Sequence, residues 1–90
     1  MYQRTVSVGS RSGLHARPAS LFVQAAVRQP VPVTVGREGN TPVDARSMLS
    51  VLALAAQHGD LLVLSAEGES APDAVDVLAT LLSEDLDGKD

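Results

Sequence analysis

Pro18 and Pro30 bracket a single apolar stripe, and this bracket constrains the fold more than any other feature of the chain. Proline has no backbone N–H and suits only the first turn of a helix. Ala19, Phe22, Val23, Ala26 and Val27 recur at helical spacing around and beyond Pro18, so a helix must begin within a residue or so of His15. Pro30 ends it. On either side the apolar period changes to two. Val6 and Val8 alternate with Thr5 and Ser7, which predicts a strand over residues 2–8, followed by a loop over 9–14. Val31, Val33 and Val35 alternate with Pro32, Thr34 and Gly36, which predicts a second strand with Pro32 at its start. After a turn at 37–40, residues 41–44 predict a short third strand, weakened by Pro42 and so placed at an edge.

Ser47 can cap a second helix carrying Met48, Leu49, Val51, Leu52, Leu54 and Ala55, with Gly59 as its stop. That helix is apolar on more than one face, more than a small domain can bury. Residues 61–66 form an apolar run of strand length. Ser70-Ala71-Pro72-Asp73 reads as a capping-box start, and Ala74, Val75, Leu78, Ala79, Leu81 and Leu82 supply the stripe of a last helix. The tail over 85–90 is expected to fray. The order βαββαβα predicts an α+β fold. It is a two-layer open-faced sandwich, with a four-stranded, mostly antiparallel sheet and three helices on one face. Residues 1–90 make one domain.

With one Tyr, one Phe and no Trp, the core must be built from Val, Leu and Ala. There is no cysteine for disulfide or thiolate chemistry, and no apolar run long enough to span a bilayer or serve as a secretory signal. These features fit the cytoplasm, with no membrane insertion. A net charge of −4 and the lack of stacking aromatics argue against nucleic acid. The charge is unevenly spread. Residues 1–59 hold six Arg against Glu38 and Asp44, a balance of +4, whereas residues 60–90 hold Lys89 against nine carboxylates, a balance of −8. A positive first half could serve an anionic ligand or an acidic partner; alternatively, the acidic second half simply keeps the protein soluble.

His15 and His58 are the only histidines, and neither has neighbours at metal-ligand spacing, so no metal site is expected. No phosphate-cradling Gly-rich loop with a Lys-Ser/Thr ending occurs, and no cofactor is expected. Gly13-Leu14-His15-Ala16-Arg17-Pro18-Ala19 stands apart. It puts His15 at the N-cap of a helix, where unpaired N–H groups and the helix dipole favour an anion. The same positive end disfavours imidazolium, leaving a ring lone pair to attack phosphorus. Arg17 could then hold the phosphoryl oxygens by charge-assisted hydrogen bonds. Gly13 would admit a partner closely, and Leu14 would stand exposed as an apolar contact. His58 lies in the polar turn Gln57-His58-Gly59-Asp60 with no helix N-terminus or cation nearby in sequence, and is expected to be chemically silent.

This segment resembles the active-site signature of the HPr family, the histidine-containing phosphocarriers of the bacterial phosphoenolpyruvate:sugar phosphotransferase system. Arg46-Ser47-Met48-Leu49-Ser50-Val51-Leu52-Ala53-Leu54 resembles the family's second signature, and the likeness covers the whole chain. The resemblance implies a carrier rather than a stand-alone enzyme. Enzyme I, charged by phosphoenolpyruvate, passes a phosphoryl group to Nδ1 of His15, supported by Arg17, and EIIA domains of sugar permeases receive it. It further implies that Leu14, Ser20, Met48, Leu49 and Leu52 bind partners. It also implies that Ser47 is a possible regulatory phosphorylation site, served by a serine kinase/phosphorylase and read by a transcription regulator. A monomer is expected.

Several positions depart from the family pattern, among them Ser50, where relatives often have another residue. Arg46 replaces the usual lysine, preserving charge, and Ala55 stands where glycine is frequent, favouring a longer second helix. Two other readings stay open: a nitrogen-branch phosphocarrier with the same chemistry, and a regulatory adaptor switched at Ser47. Adaptors of that type lack the histidine, so the presence of His15 with Arg17 argues against the second.

Overall fold

A computed structural model describes residues 1–85. Seven elements follow in the expected order: β1 (Tyr2–Ser7), α1 (Ala16–Val27), β2 (Thr34–Gly36), β3 (Val43–Asp44), α2 (Met48–Ala53), β4 (Leu61–Ala66) and α3 (Ala71–Ser83). The strands lie in the order β1-β4-β2-β3, and every pairing is antiparallel. β4 is therefore central, matching its apolar sequence, and β3 is the edge that Pro42 suggested.

Alternation sorts the strands into two faces. Val6, Val35, Leu62, Leu64 and Ala66 are buried beneath the helices, while Gln3 and Thr5 of β1 face away. Phe22 and Ala26 from α1, Val51 from α2, and Val75, Leu78 and Leu82 from α3 close the core from the other side. Burying each large aliphatic or aromatic side chain contributes about 1.5–3 kcal/mol before entropy is counted.

Several expectations needed revision. β2 starts at Thr34, because Pro30 and Pro32 have no N–H for a ladder. Val33 is nevertheless buried, and its carbonyl accepts the Ala45 N–H at 2.9 Å. Val27, assigned to the buried stripe of α1, is 61% exposed. Each helical residue advances about 100°, which places Val27 at the margin of the line through Ala19, Phe22 and Ala26. α2 has six residues and stops well short of Gly59. Ala55 adopts a left-handed φ of +50° and turns the chain out of the helix. Arg37 then donates to the freed carbonyls of Leu54 and Ala55 at 3.1 and 3.2 Å, and to Asp60 at 3.0 Å. At α3, Ser70 holds the N-cap position without capping through its side chain. Its backbone (φ −85°, ψ −1°) is already near-helical, unlike the extended form a capping serine adopts. The expected fraying of 85–90 lies outside the described residues except for Asp85, which forms an ion pair with Arg11 at 2.8 Å.

The uneven charge is folded together. Arg4, Arg11 and Arg37 each pair with a carboxylate from the acidic second half, Asp76, Asp85 and Asp60 respectively. Arg46 pairs with Asp44. Such exposed pairs contribute little stability, roughly 0–1 kcal/mol, but they cancel much of the positive field read from the first half. Tyr2 donates its hydroxyl to the Asp76 oxygen that Arg4 also reaches, which ties β1 to α3.

Candidate functional site

His15 is the N-cap residue of α1, with extended backbone (φ −86°, ψ −169°). Its carbonyl accepts the Ala19 N–H at 2.8 Å and so starts the helix. Its side chain makes no capping hydrogen bond, and the residue is exposed. The ring is therefore available, and the first-turn N–H groups are not satisfied by it. No carboxylate occupies the first turn of α1, so no side chain there supplies the anion that a helix N-terminus attracts. Arg17 stands in that turn, exposed. Pro18 and Ala19 behind it are buried and anchor the turn to the core.

The loop before His15 is held by other parts of the chain. Gly9 donates to Leu82 O at 3.0 Å, and a Cβ at Gly9 would fall 2.0 Å from Ser83 O. Gly13 has φ +75°, and a Cβ there would fall 2.3 Å from Ala56 O. Only glycine fits. The close approach that Gly13 permits is thus to the chain's own Ala56–Gln57 backbone, not to a partner. Leu14 corrects the sequence reading most plainly. It is 3% exposed, a core residue, and its N–H donates to Ala56 O at 3.0 Å. An apolar side chain next to an exposed histidine looks like a contact, but this one is turned inward to seat the loop.

The other residues assigned to partners divide. Leu49 is 81% exposed and Leu52 38%, while Met48 is partly buried against the core. This is the surplus apolar surface expected of α2. Ser20 is half-buried and accepts a hydrogen bond from Gln24 at 2.9 Å. Ser47 is the N-cap of α2: its Oγ accepts the Ser50 N–H at 3.3 Å and lies 3.0 Å from Ser50 Oγ. α1 packs against α2 and α3. No cluster of metal-binding side chains occurs among the described residues, and no helix there is long and apolar enough to cross a membrane.

The family model described as PTS HPr component phosphorylation site matches residues 2–84. The chain belongs to the HPr family of phosphocarriers. Among HPr relatives, the phosphocarrier protein HPr of Streptomyces coelicolor is 49% identical over 87 residues, covering 97% of this chain and 94% of that one. The HPr-like protein Crh of Bacillus subtilis is 37% identical, covering 96% and 100% respectively. The crystal structure of HPr-C-His from Thermoanaerobacter tengcongensis superimposes with a TM-score of 0.83 at 35% identity, covering 91% of each chain. The open-faced sandwich is thus the HPr fold.

Sequence reasoning missed what holds the HPr loop and the 54–60 segment behind it: the Ala56 carbonyl and the Arg11–Asp85 pair on the loop, and the Arg37–Asp60 pair on that segment. None has a local signature, because each joins segments distant in sequence. It also passed over His58. The Nδ1 atom of His58 lies 3.2 Å from Ser10 O, inside the loop that leads to His15.

Proposed function

We propose that this protein accepts a phosphoryl group on His15 from enzyme I charged by phosphoenolpyruvate and passes it to EIIA domains of sugar permeases. One observation carries the reading: an exposed histidine, its ring not used for capping, at the N-terminus of a 12-residue helix with Arg17 in the first turn. An imidazole nitrogen attacks the donor phosphorus and its bond to the donor breaks. The first-turn N–H groups and Arg17 then face a group of about two negative charges. Because the loop is fixed at Gly9, Gly13 and Leu14, the nucleophile is presented without reorganisation. Leu49 and Leu52, exposed on a helix packed against α1, offer an apolar contact for donor and acceptor alike. Incubation with phosphoenolpyruvate and enzyme I, followed by peptide mapping, should give one acid-labile phosphate, on His15. A phosphate found elsewhere, or none, defeats the proposal.

The similarity to Crh favours a second, compatible reading in which Ser47 is a regulatory phosphorylation site. Ser47 caps α2 and directly precedes the Met48–Leu49 pair, so a charge added there would sit beside the apolar contact and oppose its desolvation. Asp is also a good N-cap, so Ser47→Asp should keep the melting temperature and slow transfer, more at low salt than at high. Equal rates for wild type, Ser47→Ala and Ser47→Asp would leave Ser47 a helix cap alone.

A further inference from the structure

The phosphoryl-transfer reading of His15 leaves the second histidine without a task, yet the fold brings it to the same loop. Ser10 O accepts the Gly13 N–H at 3.0 Å, closing a turn immediately before Leu14 and His15. The Nδ1 atom of His58 meets the same oxygen at 3.2 Å. A carbonyl oxygen only accepts, so Nδ1 donates in this contact. The segment that carries His58 also touches the loop through its backbone: Ala56 O accepts from Leu14, Gly59 donates to Val8 O at 2.8 Å, and Asp60 O accepts from Val8 at 2.9 Å. These three bonds survive any side-chain substitution. The His58 contact adds a side chain to these main-chain bonds, and it acts on the turn that precedes His15.

We propose that His58 is a positioning residue for phosphoryl transfer, donating from Nδ1 to the Ser10 carbonyl to hold the 10–13 turn, and with it His15, in the geometry for attack. This rests on His15 as the phosphoryl acceptor. His58 takes no phosphate itself and touches no reacting atom; it reduces the number of loop conformations from which His15 can react.

Two variants separate a hydrogen bond from mere bulk. His58→Ala removes the donor. His58→Asn keeps a side-chain N–H at about the distance along the side chain that Nδ1 occupies. Amide hydrogen exchange at Gly13, measured on the protein alone, should rise about 3- to 10-fold in His58→Ala, as expected for the loss of one hydrogen bond. It should return to the wild-type rate in His58→Asn. In transfer from charged enzyme I, kcat should fall by a similar factor in His58→Ala with KM unchanged, and recover in His58→Asn. Gly13 exchange equal in all three proteins would overturn the proposal. So would His58→Asn behaving like His58→Ala, or a change confined to KM, which would make His58 a partner contact. If wild type takes no phosphate at all, the reading of His15 fails while the exchange measurement still decides whether His58 holds the turn.

Discussion

Leu14 N donates to Ala56 O at 3.0 Å, fastening the residue before His15 to the segment that follows α2. The N-terminal end of α1 and the C-terminal end of α2 are thereby held as one unit. Gly13 makes this possible, because its Cα lies where any side chain would strike Ala56 O. Gly13→Ala must adopt a left-handed φ and displace that backbone, which should cost about 2–4 kcal/mol. Urea unfolding should show a lower midpoint with an unchanged slope.

Leu14 and Leu49 should respond in opposite ways, although both are leucines close to the proposed surface. Leu49 is exposed, so Leu49→Asp should change stability by no more than about 0.5 kcal/mol. It should raise KM for enzyme I by removing an apolar contact. Leu14→Ala opens a cavity in the core and should destabilise by about 2–5 kcal/mol. Paired melting curves and transfer kinetics check both. If Leu49→Asp unfolds the protein or leaves KM untouched, α2 carries no docking surface.

Ala55 offers a gain in stability. At φ +50° an L-residue carries a penalty of about 1–2 kcal/mol that glycine escapes, against glycine's greater chain entropy of about 0.5–1 kcal/mol. Ala55→Gly should therefore raise stability by about 0.5–1 kcal/mol in chemical unfolding, with the Arg37 bonds to the Leu54 and Ala55 carbonyls retained.

Acid should weaken the same corner. The Asp60 carboxyl is held below the usual carboxylate range by the Gln57 N–H it accepts at 2.9 Å, then by the Arg37 guanidinium. A depressed folded-state value means that Asp60 contributes stability above the unfolded carboxylate range, and that this is lost as pH falls through the folded value. Wild type should lose stability below about pH 4. Asp60→Asn should start less stable and show a shallower decline between pH 5 and 2 in thermal unfolding.

How legible the sequence was depends on whether a signal was local. The order of elements, β4 and the start of α1 followed from periodicity and Pro18, since side-chain alternation and a missing N–H act over a few residues. α2 was misjudged because its end is set by a left-handed Ala55, a state that alanine's helix propensity opposes, and by Arg37 from another strand's end. Leu14 was misjudged because exposure of a loop residue depends on what packs over it, here a segment 42 positions further along. His15 and Arg17 were singled out from the motif alone. The contacts that hold the loop before them, among them main-chain bonds to Ala56 and Leu82, the Arg11–Asp85 pair and His58, come from stretches distant in sequence, which no spacing rule reports.

The central claim is that His15 receives the phosphoryl group and gives it up again. The most direct test is a radiolabelled chase. Wild type, His15→Ala and His58→Ala are each charged with phosphoenolpyruvate and enzyme I, freed of donor, and then offered an EIIA domain. The account predicts that wild type and His58→Ala are both labelled and both pass the label to EIIA, His58→Ala more slowly, and that His15→Ala is never labelled. Label retained in His15→Ala, or label on wild type that EIIA cannot remove, would contradict it.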